Sequence, residues 1–188
     1  AHAALAAAGA LEGWQRWRSD QLREELVARA EGLLKRPEGQ AIGGRKMQEN
    51  LRALREHPDA FTSSFEEEQL RPLAWAQARL RPDAERPHDF FLGAFIGDEL
   101  VGMVGLQGRY RPKERHNAAV VGMYVAPDAA GRGVGGALMR ELLAQARALP
   151  DLEQLDLTVT QGNDVAQALY TRLGFGAFGV LPRAIRVD

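Results

Sequence analysis

Four glycines stand within six positions of one another, Gly131, Gly133, Gly135 and Gly136, in the run VVGMYVAPDAAGRGVGGALMRELL from Val120 to Leu143. The run reads as the end of a strand, a turn and the start of a helix, with Leu138, Leu142, Ala146 and Leu149 at helical spacing. The N–H groups of a first helical turn have no partners inside the helix, and the aligned peptide dipoles make that end partly positive. Glycines there remove the side chains that would hold an anion away from the backbone, and Arg132 adds a cation. The chemistry this spacing suits is phosphate binding. A tight strand-to-helix turn shaped by glycine alone is the competing explanation, and four glycines at one helix start weigh against it.

Gly131, Gly133 and Gly136 also satisfy the dinucleotide fingerprint GxGxxG. That fingerprint needs an acidic residue about twenty positions on, at the end of the following strand, to hold a ribose. Asp151 precedes the next apolar run, which ends instead in Thr158, Val159 and Thr160. Too little chain follows for the further strand-helix units of a dinucleotide fold. No Gly-Lys-Ser/Thr follows the turn, so a P-loop is excluded.

The elements that must position this turn follow from the periodicity around it. Phe90 to Ile96 and Leu100 to Leu106 read as strands joined at Gly97-Asp98-Glu99, Ala118 to Val125 as a third strand, and Leu152 to Thr160 as a fourth. The segment 135–149 reads as a helix crossing between the last two, Asp164 to Leu173 as another, and Phe175 to Val187 as a final extended segment. Upstream, residues 14–35 and 46–56 have helical character, with His57-Pro58 ending the second. Ser64 with Glu67, or Ser63 with Glu66, spells a capping box, and Pro72 starts a new helical piece running to Leu80. The pattern is α+β or α/β.

Composition narrows the function classes. The 188 residues are 45% hydrophobic and 26% charged, with a net charge of −1, a balance that suits one globular core and offers no broad positive field for nucleic acid. There is no cysteine, and His2, His57, His88 and His116 lack metal-ligand spacing, so no metal is expected. No stretch reads as a signal peptide or a membrane span, which makes the cytoplasm the expected compartment.

The glycine run resembles the acetyl-coenzyme A motif of the GNAT superfamily of N-acetyltransferases: Arg or Gln, two residues, Gly, any residue, then Gly or Ala. Gly133 and Gly135 take the glycine places, while Ala130 stands where the family carries Arg or Gln. A lost hydrogen bond to a charged group is worth about 1.5 to 3 kcal/mol. Further on, TQGNDVAQALYTRLGF resembles the second signature of the family, matched by Asn163, Ala166, Leu169, Tyr170, Gly174 and Phe175.

The resemblance implies a mixed, mostly antiparallel sheet splayed between its middle strands and flanked by helices. Residues 45–188 would form the acetyltransferase domain and residues 1–44 an N-terminal helical extension. It implies acetyl-CoA as co-substrate, held by the turn (Gly131, Arg132, Gly133, Val134, Gly135, Gly136), by the strand with a bulge at Gly122 (Met123, Tyr124, Val125) and by Asn163 and Tyr170. Asn163 also reads as a helix N-cap. The resemblance implies direct acetyl transfer to a primary amine of a small molecule or peptide, with a backbone N–H near Met123 polarising the carbonyl. The resemblance makes Tyr170 the expected general acid on the thiolate, its ordinary pKa of about 10 lying slightly above a thiol's 8.5. Glu114 and His116 are the side chains offered as base, with water the alternative.

Two rival functions keep parts of this pattern: a catalytically silent coenzyme A-binding regulatory module and, further off, a nicotinamide-dependent oxidoreductase. The family usually begins and ends with strands that this sequence does not display, since residues 1–44 show no alternating apolar run. A sheet edge left open in this way would admit a second copy, so a homodimer is among the expected assemblies.

Overall fold

The computed structural model describes residues 2–8, 48, 50–56, 58, 61, 63–80, 83–97 and 99–185. The amphipathic pattern read at 14–35, and with it most of the expected N-terminal extension, lies outside the described residues. A helical stretch at 50–56 is followed by α1 (Phe65–Gln69), whose N-cap Ser64 accepts from the Glu67 N–H at 3.1 Å, and by α2 (Leu73–Leu80). The cap is the one that the Ser64 and Glu67 spacing predicts.

Among the described residues the sheet has six strands, in the order β2-β3-β4-β5-β1-β6. Strands β2 (Phe90–Ile96) and β3 (Glu99–Gly108) form the predicted hairpin, closed where Ile96 pairs with Glu99 and Gly97 takes a φ of 60°. Strand β4 (Asn117–Val125) runs antiparallel to β3 and parallel to β5 (Gln154–Thr160). Helix α3 (Val134–Ala148) makes the crossover between them and buries Val134, Leu138, Met139, Leu142, Leu143 and Ala146 against the sheet. It comes close because β3 has no side chain at Gly102, where a Cβ would lie 3.1 Å from both Leu138 and Val134. Helix α4 (Asp164–Arg172) and strand β6 (Gly176–Leu181) complete the chain.

One expectation is corrected. The lack of an alternating apolar run before residue 44 implies no strand there, yet residues His2–Ala8 form β1, inserted between β5 and β6 and antiparallel to both. Alanine has low strand propensity and an alanine run has no period, so the sequence carries no local signal. Backbone ladders on both sides override it. The outer edge is therefore β6, which leaves Phe178, Val180 and Leu181 largely exposed.

Two irregularities in β4 make the site. Pairing with β5 lasts only from Asn117 and Gln154 to Ala119 and Asp156, although both strands continue beyond. On its other edge, the register with β3 shifts between the pairs Met103–Tyr124 and Gly105–Val121, so β4 carries one extra residue. Gly122 sits in that bulge with a φ of 60°, a left-handed conformation that costs a residue with a Cβ about 1 to 2 kcal/mol. Gly122→Ala is expected to lower stability by about that amount, read as a fall in urea midpoint at unchanged m value.

Candidate active site

The seam that opens beyond Ala119 and Asp156 leaves one edge of β4, from Val120 to Val125, without a β5 partner. Main-chain groups of Met123 and Val125 lie on this stretch. Tyr124 is also here, but its ring is buried and its hydroxyl donates to Glu56 Oε2 at 3.3 Å, tying β4 to the helical stretch at 50–56.

From Val125 the chain passes through a short turn of 3₁₀ helix, Pro127–Ala129, into the glycine turn. Gly131 and Gly133 have φ values of 73° and 82°, and Gly133 is the N-cap of α3, with no side chain to cap it. The first bond into the helix is Ala137 N–H to the Gly133 carbonyl, so the N–H groups of Val134, Gly135 and Gly136 precede it and point out of the helix end. Space in front of the turn is open: a Cβ on Gly131 or Gly133 would meet nothing within 4 Å. Gly135 serves a different need, because a Cβ there would lie 3.0 Å from Met123 Cε and 3.5 Å from Leu169 and Val125. Its bareness lets the turn, β4 and α4 meet at one place.

Helix α4 starts at Asn163, whose Oδ1 accepts from the Ala166 N–H at 3.2 Å, so the cap reading of that residue holds in the structure. At the other end, Gly174 takes a φ of 92° and folds the chain back, allowing Phe175 N–H to donate to the Tyr170 carbonyl at 3.0 Å. The two rings then meet edge to face at 6.0 Å. This gives the Tyr-x-x-x-Gly-Phe spacing its physical meaning: the glycine turn packs Phe175 on Tyr170 and fixes the tyrosine ring. Tyr170 is 6% exposed, and no described residue hydrogen-bonds its hydroxyl. Burial alone pushes its pKa from the ordinary 10.0 up to about 12, where the sequence reading took the ordinary value.

Glu114 and His116 stand before β4 at the closed end of the seam. Glu114 closes a reverse turn, its carbonyl accepting from Asn117 N–H, and His116 Nε2 lies 3.2 Å from Asn117 Nδ2. The His116 carbonyl accepts from Glu153 and Gln154 N–H, stitching the start of β4 to that of β5. The structure puts a different carboxylate at the point where the strands part. Asp156 ends the paired seam, and Arg109, from beyond β3, donates to its Oδ1 at 2.8 Å. Asp156 is half-buried, and that burial raises its pKa by more than Arg109 lowers it. Forty-seven positions separate the two residues, so no local pattern pairs them.

The family model described as the acetyltransferase (GNAT) family matches residues 50–175. The chain belongs to this family. It is 37% identical over 116 residues to the N-alpha-acetyltransferase RimI of Mycobacterium tuberculosis, covering 61% of this chain and 69% of that one. It is 36% identical over 120 residues to an N-acetyltransferase of Streptomyces griseus, covering 62% of this chain and 61% of that one. Among solved structures, a GNAT-family acetyltransferase of Streptococcus pneumoniae superposes with a TM-score of 0.63 at 24% identity, over 69% of this chain and 76% of that one. Membership makes the chain an acyl-CoA-dependent N-acyltransferase by class, and the splayed mixed sheet is the family's fold. Among the described residues, no helix is long and apolar enough to cross a membrane.

Coenzyme A fits the residues present. The open glycine turn with its unpaired N–H groups and Arg132 suits a pyrophosphate, and the unpartnered edge of β4 suits an extended amide-bearing arm.

Burial of the tyrosines has a consequence at high pH. Tyr170, which is buried, and Tyr110, which is 36% exposed and is pushed up to about 12 by partial desolvation and its bond to Asp89, hold their protons more tightly folded than unfolded. Their stabilisation is complete below pH 10 and is lost as pH rises from about 10 to about 12. For Tyr170 the loss is on the order of 3 kcal/mol. Thermal melts across that window should show Tyr170→Phe declining less steeply than the parent.

Proposed function

We propose that this protein moves an acetyl group from acetyl-CoA directly to a primary amine. The observation that carries the reading is the parting of β4 and β5 immediately before a helix start cleared by glycines, with Tyr170 on the adjoining helix. Gly131, Arg132, Gly133, Val134, Gly135 and Gly136 hold the pyrophosphate. Main-chain groups of Met123, Tyr124 and Val125 bind the pantetheine arm as an added strand would, and Asn163 contributes beside its capping role. Bound acetyl-CoA supplies an activated thioester.

Tyr170 acts on the departing thiolate. With its pKa near 12 it stays neutral and is a permanent donor, but full proton transfer to a thiolate of pKa about 8.5 is uphill by about 5 kcal/mol. It therefore serves mainly as a hydrogen-bond donor to the developing negative charge, and water completes protonation on release. A backbone N–H near Met123 polarises the carbonyl. The amine's proton passes to Asp156, a carboxylate at the apex of the opening that Arg109 holds in place through one oxygen. Glu114 and His116, anchored at the closed end, are the weaker base candidates. The relative RimI is named for α-amines, which puts peptide N-termini first in an acceptor panel.

Transfer across amines of several classes tests the reading. Turnover with at least one amine supports it. Coenzyme A binding without transfer or thioester hydrolysis would favour the silent module, and stabilisation by NADH alone would favour the oxidoreductase. Tyr170→Phe is expected to lower kcat about a hundredfold at unchanged coenzyme A affinity. Asp156→Asn should lower kcat/KM for the amine about a hundredfold and remove the acid limb of its pH profile. In the parent that limb lies above the ordinary carboxylate range, and Arg109→Met should move it higher still. An unaltered profile in Asp156→Asn would take Asp156 out of the mechanism.

A further inference from the structure

The glycine turn lacks side chains at two places where a cation or a donor could have been supplied: Ala130, where the family pattern has Arg or Gln, and Gly136. One helical turn beyond Gly136 stands Arg140, four residues on and hence on the same face of α3. Its side chain runs back toward the helix start. A Cβ built on Gly136 would lie 3.2 Å from Arg140 Nη1, 3.7 Å from Nη2 and 3.8 Å from Cζ, so the guanidinium covers the bare backbone of Gly136.

Helix geometry sends a side chain at 140 back over residue 136, and here it carries the guanidinium to the bare end of the turn. Among the described residues no carboxylate pairs with Arg140, as none does with Arg55, Arg111, Arg132, Arg147, Arg172 or Arg183, so its guanidinium is available to an anion at the turn. A cation at a helix N-terminus is repelled by the peptide dipoles, and holding a long side chain in one place costs rotamer entropy. An anion at the turn would reverse the electrostatic term and offset the entropic one, since the guanidinium and the open N–H groups of Val134, Gly135 and Gly136 would then face the same negative charge. The bareness of Gly136 is what gives the guanidinium its room.

We propose that Arg140 is a pyrophosphate-binding residue of the coenzyme site and supplies, from the far side of the turn, the contact that Ala130 does not make. This rests on the reading of the turn as a coenzyme A site. Position 130 precedes the turn and position 140 follows it on the helix, so a long donor at either would bear on an anion held at the turn between them.

Calorimetric titration of the full chain with coenzyme A tests the proposal, because it reads binding apart from turnover. Arg140→Ala is expected to weaken binding by about tenfold or more, with an unchanged melting temperature because the side chain is exposed. Arg140→Gln, which keeps a donor, should lose less. Ala130→Arg should recover the affinity in the Arg140→Ala background and gain much less in the parent. Dephospho-coenzyme A, which keeps the pyrophosphate, should show the same loss on Arg140→Ala. Unchanged affinity in Arg140→Ala overturns the inference. So do additive effects of positions 130 and 140, or a loss that disappears with dephospho-coenzyme A. A parent chain that does not bind coenzyme A at all overturns the reading of the turn itself, an outcome separable from the others.

Discussion

The structure depends on where β4 and β5 stop pairing. Buried backbone N–H and C=O groups need partners, so two adjacent parallel strands normally stay bonded along their common length. Here the ladder ends at Ala119 and Asp156 while β4 runs on to Val125 and β5 to Thr160. Each strand survives the separation because its other edge is occupied. β4 keeps β3 out to the pair Gly102–Val125, with the extra residue at Gly122 absorbing the change of direction, and β5 keeps β1 along its whole length, from Gln154–Ala8 to Thr160–His2. The N-terminal strand thus holds one wall of the opening. Without it, β5 beyond Asp156 would have no strand on either side.

The same opening dictates what surrounds it. β4 leads within a few residues into a helix start, and the helix must lie tightly on β3 for that start to point along the seam. Gly102 allows the approach from below and Gly135 from the side, where Met123, Val125 and Leu169 converge. Helix α4 is fixed at both ends, by Asn163 at its cap and by the fold-back at Gly174, so Tyr170 is presented by a rigid element. Placing the ring among apolar side chains has an electrostatic cost to its ionised form, and this raises its pKa. The hydroxyl therefore stays neutral over the whole working range, and in the proposed mechanism this suits stabilising a thiolate better than handing it a proton outright.

Features built from local chemistry were legible in the sequence. The glycine turn, the hairpin at Gly97, the Ser64 and Asn163 caps and the Tyr170 to Phe175 spacing each depend on residues a few positions apart, and each is where its spacing says it should be. What escaped depends on distance or environment. β1 is a run of alanines whose strand state comes from β5 and β6, not from any pattern of its own. Asp156 gains its position from a register pair with Ala119 and an ion pair with Arg109, neither visible along the chain. The pKa of Tyr170 is a property of its burial, and the ordinary value was the only one the sequence could offer.

In the proposed transfer, Asp156 and Tyr170 would serve opposite ends of the reaction. Tyr170 is buried and Asp156 half-buried, and loss of water raises both pKa values because it disfavours the charged form of each acid. For a tyrosine that must donate, the shift keeps the proton in place. For a carboxylate that must accept, it raises basicity, while Arg109 keeps the group ionised enough to remain available. On the proposed mechanism, the same physical effect therefore tunes an acid and a base in opposite functional senses. The arrangement works because the carboxylate has a cationic partner and the tyrosine has none among the described residues.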